Sequence, residues 1–596
     1  MDSSIKNKRI IIRIGFILIV MFALTLCGCS KQTSYEGKVS DYMKDMKWWQ
    51  QTIVYEAYPN SFKDTDGDGY GDLPGLISEL DHLKSLGVGA IWLTPVFTSP
   101  MGDNGYDVAD YYSINPRYGT MDDMDRLIKE AQKRDIRIVM DLVFNHTSEE
   151  CEWFLESKQS RDNPKSDWYI WRDAKEDGSA PNNWRGIFGG SAWTWCEERG
   201  QYYLHTFADF QPDINWENPE VRKELLRAAK FWVDKGVGGF RVDAITYIKK
   251  PKDFSDGEPD AADGMAGIHK MTANSDGILD FLHEFKKEVE EGTDIFMVGE
   301  ANGVPSEQLT QWVGSDGVFD MIFGFDLMNL PFSDGEVWYK TRDFTLKEFK
   351  SIISKDQAVT AENGWCPIFL ENHDQPRSVE HFLPGCTDYE KGSKLLAAMI
   401  MTLRGTPFIF EGEEIGMTNV NRDSIDEYND ISSHNQYKMA LQNGLSEEEA
   451  LDCVRRFSRD NARSPMQWND SENAGFTTGT PWLAVNDNYR TINVETENND
   501  ENSVLNWYKE LNQLRKKYPI LITGDYKELL PDSDEIFAYT RSNNDESATV
   551  LLNFTGKEVS YDSSLVEGYK LFVSSEGSAQ KGLLRPYEAV CCLPDE

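Results

Sequence analysis

The sequence predicts a (β/α)8 TIM barrel with a small domain inserted after strand 3 and a C-terminal all-β sandwich domain. Three observations predict it. Eight apolar, strand-like runs recur between residues 52 and 415. Several are separated by stretches such as LISELDHLKSLG and MDRLIKEAQKRD, whose apolar residues have helical spacing. The end of the chain changes to short β-type runs with turn signals, as in ATVLLNFTG and YKLFVSS. Strands alternating with helices pair in parallel through crossover connections, and eight such units close a barrel.

The elements follow in order. Lys6, Lys8, Arg9 and Arg13 precede IGFILIVMFALTL (14–26), an apolar stretch too short to span a bilayer comfortably. It ends in LCGC (26–29), which resembles the lipobox of bacterial lipoproteins with Cys29 as the lipidated residue. The expectation is a signal peptide at 1–28, a polar tether at 29–46, a lipid anchor in the cell membrane and a catalytic part outside the cytoplasm. TIVYEAYP (52–59), VGAIWLTPVF (88–97) and IRIVMDLVF (136–144) give the first part of the barrel, 47–146. Residues 147–208 show little helical period and suit a small inserted domain. GGFRVDAI (238–245), DIFMVGEA (294–301), GVFDMIFGF (317–325), WCPIFLENHD (365–374) and PFIFEGEEI (407–415) complete the barrel within 209–510. A polar helical insertion is expected at about 417–465 and the β-sandwich at 511–596.

Composition limits the partners. The chain carries 61 Lys and Arg against 100 Asp and Glu, a formal net charge of -39. A phosphate backbone would be repelled, so nucleic acid is excluded. Beyond the signal region and Cys29, seven cysteines remain: Cys151, Cys196, Cys366, Cys386, Cys453, Cys591 and Cys592. Their odd number and spacing give neither a disulfide framework nor a zinc site. No organic cofactor is expected, and the protein is read as a monomer.

The chemistry begins in GGFRVDAIT (238–246). Arg241 and Asp243 stand two apart in a strand, so both face one space. An unpaired buried charge is expensive, so the two either pair or line a site. In a barrel, active residues sit at the C-terminal ends of the strands. Those ends carry Tyr58, Asp141, Asn145, His146, Arg241, Asp243, Glu300, His373 and Asp374. Three carboxylates at the ends of different strands suit a nucleophile and a general acid on two sides of a scissile bond.

DLVFNH (141–146), GFRVDAI (239–245), VGEA (298–301) and ENHDQ (371–375) resemble the four signature regions of the α-amylase superfamily of glycoside hydrolases. QPDIN (211–215) is similar to its fifth region, in the form of the oligo-1,6-glucosidase and α-glucosidase branch. The resemblance implies Asp243 as nucleophile, Glu300 as general acid/base and Asp374 as the third carboxylate. It implies that Arg241 orients Asp243, and that His146 and His373 bind sugar hydroxyls. It makes Tyr106 of NGYD (104–107) a stacking platform. Asp107 and Arg463 of NARSPMQW (461–468) resemble the pair that grips the non-reducing end, which implies exo action and α-linked gluco-oligosaccharides as partners. Retention of configuration would follow, with carboxylates about 5–5.5 Å apart.

DTDGDGYGD (64–72) places oxygen ligands at alternate positions, and Gly69 supplies a sharp turn. Gly75 stands where an EF-hand needs its bidentate Glu, so this is no EF-hand. It is similar to the calcium loop of this branch, which implies a structural Ca2+ held by Asp64, Asp66, Asp68, Asp72 and the Tyr70 carbonyl. The residue after the nucleophile, Ala244, is smaller than the Val typical of α-1,6 enzymes, and predicts α-1,4 bonds as the preferred target with α-1,6 bonds in reach. Isomaltose-type, trehalose and sucrose substrates, and transglycosylation, stay open. A non-enzymatic membrane partner like the transporter heavy chains is disfavoured by the complete triad.

Overall fold

A computed structural model describes residues 43–595 except 261–262, 315, 334–336 and 362–363. Cys29, with the expected signal peptide and most of the tether, lies outside the described residues. Eight parallel strands form the barrel: β1 (Val54–Ala57), β2 (Ala90–Leu93), β3 (Arg137–Val143), β4 (Gly239–Asp243), β5 (Phe296–Glu300), β6 (Met321–Phe323), β7 (Pro367–Ile368) and β8 (Thr406–Phe410). They are laddered in the order β6-β5-β4-β3-β2-β1-β8-β7, and β6 and β7 meet side by side to close the ring. Each lies in or within one residue of its predicted run.

Strand parity decides what fills the barrel. Val54, Ala90, Trp92, Val139, Phe296, Val298, Met321, Phe323 and Phe408 form one interior cluster. Tyr55, Ala57, Ile91, Ile138 and Ile409 face outward into the layer packed by the helices. The helix Met121–Gln132 shows how that layer forms. Thr120 and Asp123 cap its start reciprocally, and Met124, Leu127, Ile128 and Ala131 make its buried stripe. Helix Pro219–Lys235 has Asn218 as cap and Pro219 at its first position, and Gly236 ends it in the left-handed region. Below the barrel, Trp49 packs on Phe296 and Trp365, and its carbonyl accepts from the Thr406 hydroxyl. Residues 48–51 thus close the N-terminal end of the ring.

The segment after β3 carries a three-stranded sheet of Trp171–Arg172, Gln201–Leu204 and Trp193–Cys196. The second insertion holds helices Ile431–Gln442 and Glu447–Phe457. At the end, five antiparallel strands, β9 (Asp525–Glu528), β10 (Ile536–Ser542), β11 (Ser547–Asn553), β12 (Leu571–Ser574) and β13 (Ala589–Leu593), pair in the order β9-β10-β11-β13-β12. Residue 511 falls inside helix Val504–Lys517, so the β domain starts later than the sequence reading placed it. The reason is packing: Val504, Leu505, Tyr508 and Leu511 are buried, and Trp507 donates to the Lys394 carbonyl in helix Tyr389–Thr402, which precedes β8. The seven cysteines among the described residues are free thiols.

Candidate active site

The site is built around one buried guanidinium. Arg241, 3% exposed, follows Gly239 on the interior face of β4. Its Nη1 donates to both oxygens of Asp141, at 2.8 and 2.9 Å, and to Asp243 Oδ1 at 2.7 Å. Its Nη2 donates to Glu300. The ladder explains the meeting: Arg241 is the register partner of Asp141 on β3 and of Val298 on β5, two residues before Glu300. The Asp243 and Glu300 carboxyls thus meet on one guanidinium, one on Nη1 and the other on Nη2. Burial raises the Asp243 carboxyl well above its usual range; Arg241 pulls it back, while the Glu300 and Asp141 charges add to the rise. Arg241 therefore orients Asp243 but does not answer its charge alone, because three carboxylates share it.

Asp374 faces this cluster from the end of the β7 segment. Its Oδ1 accepts from Arg463 Nη2 at 2.7 Å and Arg459 Nη1 at 3.2 Å, and Oδ2 lies 3.3 Å from His373 Nε2. Against the upward push of burial, His373, Arg459 and Arg463 hold Asp374 well below the usual carboxylate range. Tyr106 lies parallel to His373 at 5.2 Å, and its hydroxyl reaches Asp141 at 2.9 Å and His373 Nε2 at 2.7 Å. His146 Nε2 contacts the Tyr106 carbonyl at 3.1 Å, and burial lowers its basicity. Ala244 has φ 46 and ψ 34, and its N–H points at Glu300.

Asp107 and Arg463, expected from the resemblance to grip the non-reducing end, are each taken up by other partners. The Asp107 carboxylate is consumed by its own loop, accepting from Ser99 Oγ and from the N–H groups of Gly102 and Asp103. Arg463, 1% exposed, is locked behind the pocket by the His373 carbonyl and Asp374. The residues that face each other at the mouth stand four positions earlier. Arg459 Nη2 lies 3.7 Å from Asp103 Oδ1, and Gln211 of QPDIN joins Asp103 to His146, at 3.0 and 3.3 Å. Asp430 holds the other side of Arg459. The two insertions meet here as well: Asn435 donates to the Phe188 carbonyl at 2.8 Å, and the Arg459 guanidinium lies 5.4 Å from the Phe188 ring. Asp103 stands one residue before NGYD and Arg459 two residues before NARSPMQW, so both fall outside the motifs that carry the sequence reading.

Oxygen atoms of Asp64, Asp66 and Asp72 lie within 4.8 Å of one another. This all-oxygen set fits a hard divalent cation. Asp68 stands outside the convergent three, and its carboxylate accepts the Tyr70 N–H. Asp72 also caps helix Leu73–Ser78. Gly69 has φ +95, and a Cβ there would lie 2.1 Å from the Thr480 carbonyl oxygen, so only glycine fits.

The family model described as "Alpha amylase, catalytic domain" matches residues 56–524. The chain belongs to the α-amylase family. It is 44% identical over 552 residues to the oligo-1,6-glucosidase of Parageobacillus thermoglucosidasius, covering 91% of this chain and 98% of that one. It is 45% identical over 551 residues to the oligo-1,6-glucosidase of Heyndrickxia coagulans, with the same coverage. Among solved structures, the trehalose-6-phosphate hydrolase of Bacillus licheniformis superposes with a TM-score of 0.86 at 41% identity, covering 92% of this chain and 99% of that one. The protein is accordingly a glycoside hydrolase of this family.

Proposed function

We propose that the protein is a retaining, exo-acting α-glucosidase that releases glucose from the non-reducing end of short α-glucans, with α-1,6 bonds as its main target. The observation that carries this reading is the placement of Asp243 and Glu300 around one guanidinium, with Asp374 across from them. Asp243 attacks the anomeric carbon as Glu300 gives its proton to the leaving oxygen. Water then releases glucose from the glycosyl-enzyme, with Glu300 taking the proton back. Asp374 and His373 hold sugar hydroxyls. Asp103 and Arg459 take the gripping role first given to Asp107 and Arg463, because they face the mouth and oppose each other. A pocket closed at that end admits one terminal glucose, which is why cleavage is exo.

The linkage reading rests on the relatives, both of those described above being oligo-1,6-glucosidases. They support α-1,6 better than the α-1,4 preference read from Ala244. That preference remains the second reading, because a small residue beside Glu300 widens the space for the leaving sugar. We also propose a structural Ca2+ in the 64–72 loop, held by Asp64, Asp66 and Asp72, where it would neutralise gathered carboxylates. A lipid on Cys29 would hold the protein at the membrane.

The test is a product time course on isomaltotriose and maltotriose, with wild type and Asp243→Ala side by side. The expected result is faster glucose release from isomaltotriose, reduced by about 10⁴-fold or more in the variant. A preference for maltotriose would restore the Ala244 reading and keep the mechanism. Near-normal activity of Asp243→Ala would overturn the mechanism itself.

A further inference from the structure

We propose that Glu56 is a positioning residue, which fixes His373 by accepting from its Nδ1–H and thereby commits the Nε2–H to the pocket side. This rests on the glucosidase reading above, in which His373 faces the sugar. Glu56 lies on β1 two residues after Val54, so it points into the barrel, and it is 1% exposed. An interior barrel position is ordinarily apolar, and a buried carboxylate there needs a partner. Its partner is His373. Glu56 Oε1 lies 2.6 Å from Nδ1 and also accepts the His373 backbone N–H at 3.3 Å.

The ring is held on every side. Tyr106 and Tyr58 lie parallel to it, at 5.2 and 6.3 Å, and Trp92 meets it edge-on at 6.0 Å. Nε2 faces the Tyr106 hydroxyl and Asp374. The histidine therefore stands between two carboxylates, Glu56 behind and Asp374 in front. A neutral imidazole has one N–H and cannot donate to both; the imidazolium can.

The charged groups around the pair are Arg241 from β4, Asp141 from β3 and Glu411 after β8; Arg463 touches the His373 carbonyl. Burial alone would drive His373 down, but Asp374 and Glu56 together carry it up to about 9. The sign follows: the ring stays charged at neutral pH and loses its proton only as pH rises through about 9. In turn the imidazolium helps keep Asp374 ionised. Glu56 thus acts on the third carboxylate through one histidine, without touching substrate.

The experiment compares wild type, Glu56→Gln and Glu56→Asp as full-length purified protein. Gln keeps an oxygen for Nδ1–H and removes the charge; Asp keeps the charge on a shorter arm. Histidine 15N NMR follows His373 through a pH titration without any turnover, with His373→Asn to assign the signal. The expected result is an imidazolium through pH 8 in wild type. In Glu56→Gln the titration moves at least about one unit to the acid side, and Glu56→Asp restores part of it. The alkaline limb of kcat/KM on an aryl α-glucoside should move in the same direction. An unchanged titration in Glu56→Gln, with or without a lower melting temperature, overturns the proposal. A shifted titration in a protein whose wild type cleaves no α-glucoside would leave the Glu56 assignment standing and remove the glucosidase reading.

Discussion

Two groups of carboxylates gather in this molecule, and they are held by opposite means. In the pocket, Asp141, Asp243, Glu300 and Asp374 face the side-chain cations Arg241, His373, Arg459 and Arg463. In the 64–72 loop the carboxylates face backbone amides. Asp64 accepts from the N–H groups of Asp66, Gly67 and Gly69, and Asp72 accepts from those of Thr65 and Gly75. Amides shape a turn and bring the carboxylate oxygens together without a side-chain cation from the described residues among them. Side-chain cations in a buried space make each charge depend on its neighbours. The loop is therefore shaped mainly by its own amides, with the Thr477 hydroxyl reaching Asp64 from far along the chain, whereas the pocket is held by side-chain cations from distant segments.

The largest expected effect that tests this contrast is at the pocket mouth. Arg459→Ala should lower kcat/KM by about 10- to 150-fold, the loss of one charge-assisted contact of roughly 1.5–3 kcal/mol, and should lower the melting temperature too, because the buried Asp430 loses its cation. Arg463→Ala should also destabilise the fold, because it leaves the buried His373 carbonyl and one side of Asp374 without a partner. If Arg459→Ala leaves kcat/KM unchanged in the folded protein, the assignment of Arg459 to the mouth fails. A medium effect is expected at Ala244. Its left-handed backbone disfavours a branched side chain, so Ala244→Val should cost about 1–3 kcal/mol of stability. It should also change the ratio of isomaltose to maltose cleavage; a variant that is unchanged in both respects would sever Ala244 from linkage choice. The smallest effect belongs to the loop. Adding Ca2+ to chelator-treated protein should raise the melting temperature by a few degrees and leave kcat unaltered. Asp66→Ala should abolish that rise, and a rise that survives would place the ion elsewhere.

The same contrast explains what was legible beforehand. Strand positions follow from runs and parity along the chain, so all eight barrel strands could be placed, although β7 is only the pair Pro367–Ile368. Arg241, Asp243 and the metal-type loop are short-range patterns and could be read in the same way. Glu56 was hidden because its meaning comes from a histidine 317 residues away. Asp103 and Arg459 were hidden because spacing cannot tell which of two Asp or two Arg faces outward. Only the fold shows that Asp107 is spent on its own loop and Arg463 on the pocket's back wall.

The aromatic plug under the barrel has a further consequence. Trp48 hydrogen-bonds the Asp294 carbonyl just before β5 and carries the Arg137 guanidinium on its ring, while Trp49 seals the strand starts. The described chain thus enters at the floor of the ring, and the pocket opens at the roof, one barrel length away. A link made through the segment before residue 43 would therefore reach the barrel at the end away from the pocket. Attachment at that end should leave sugar entry unobstructed, whereas attachment through the insertion that carries Asn435 would crowd the entrance.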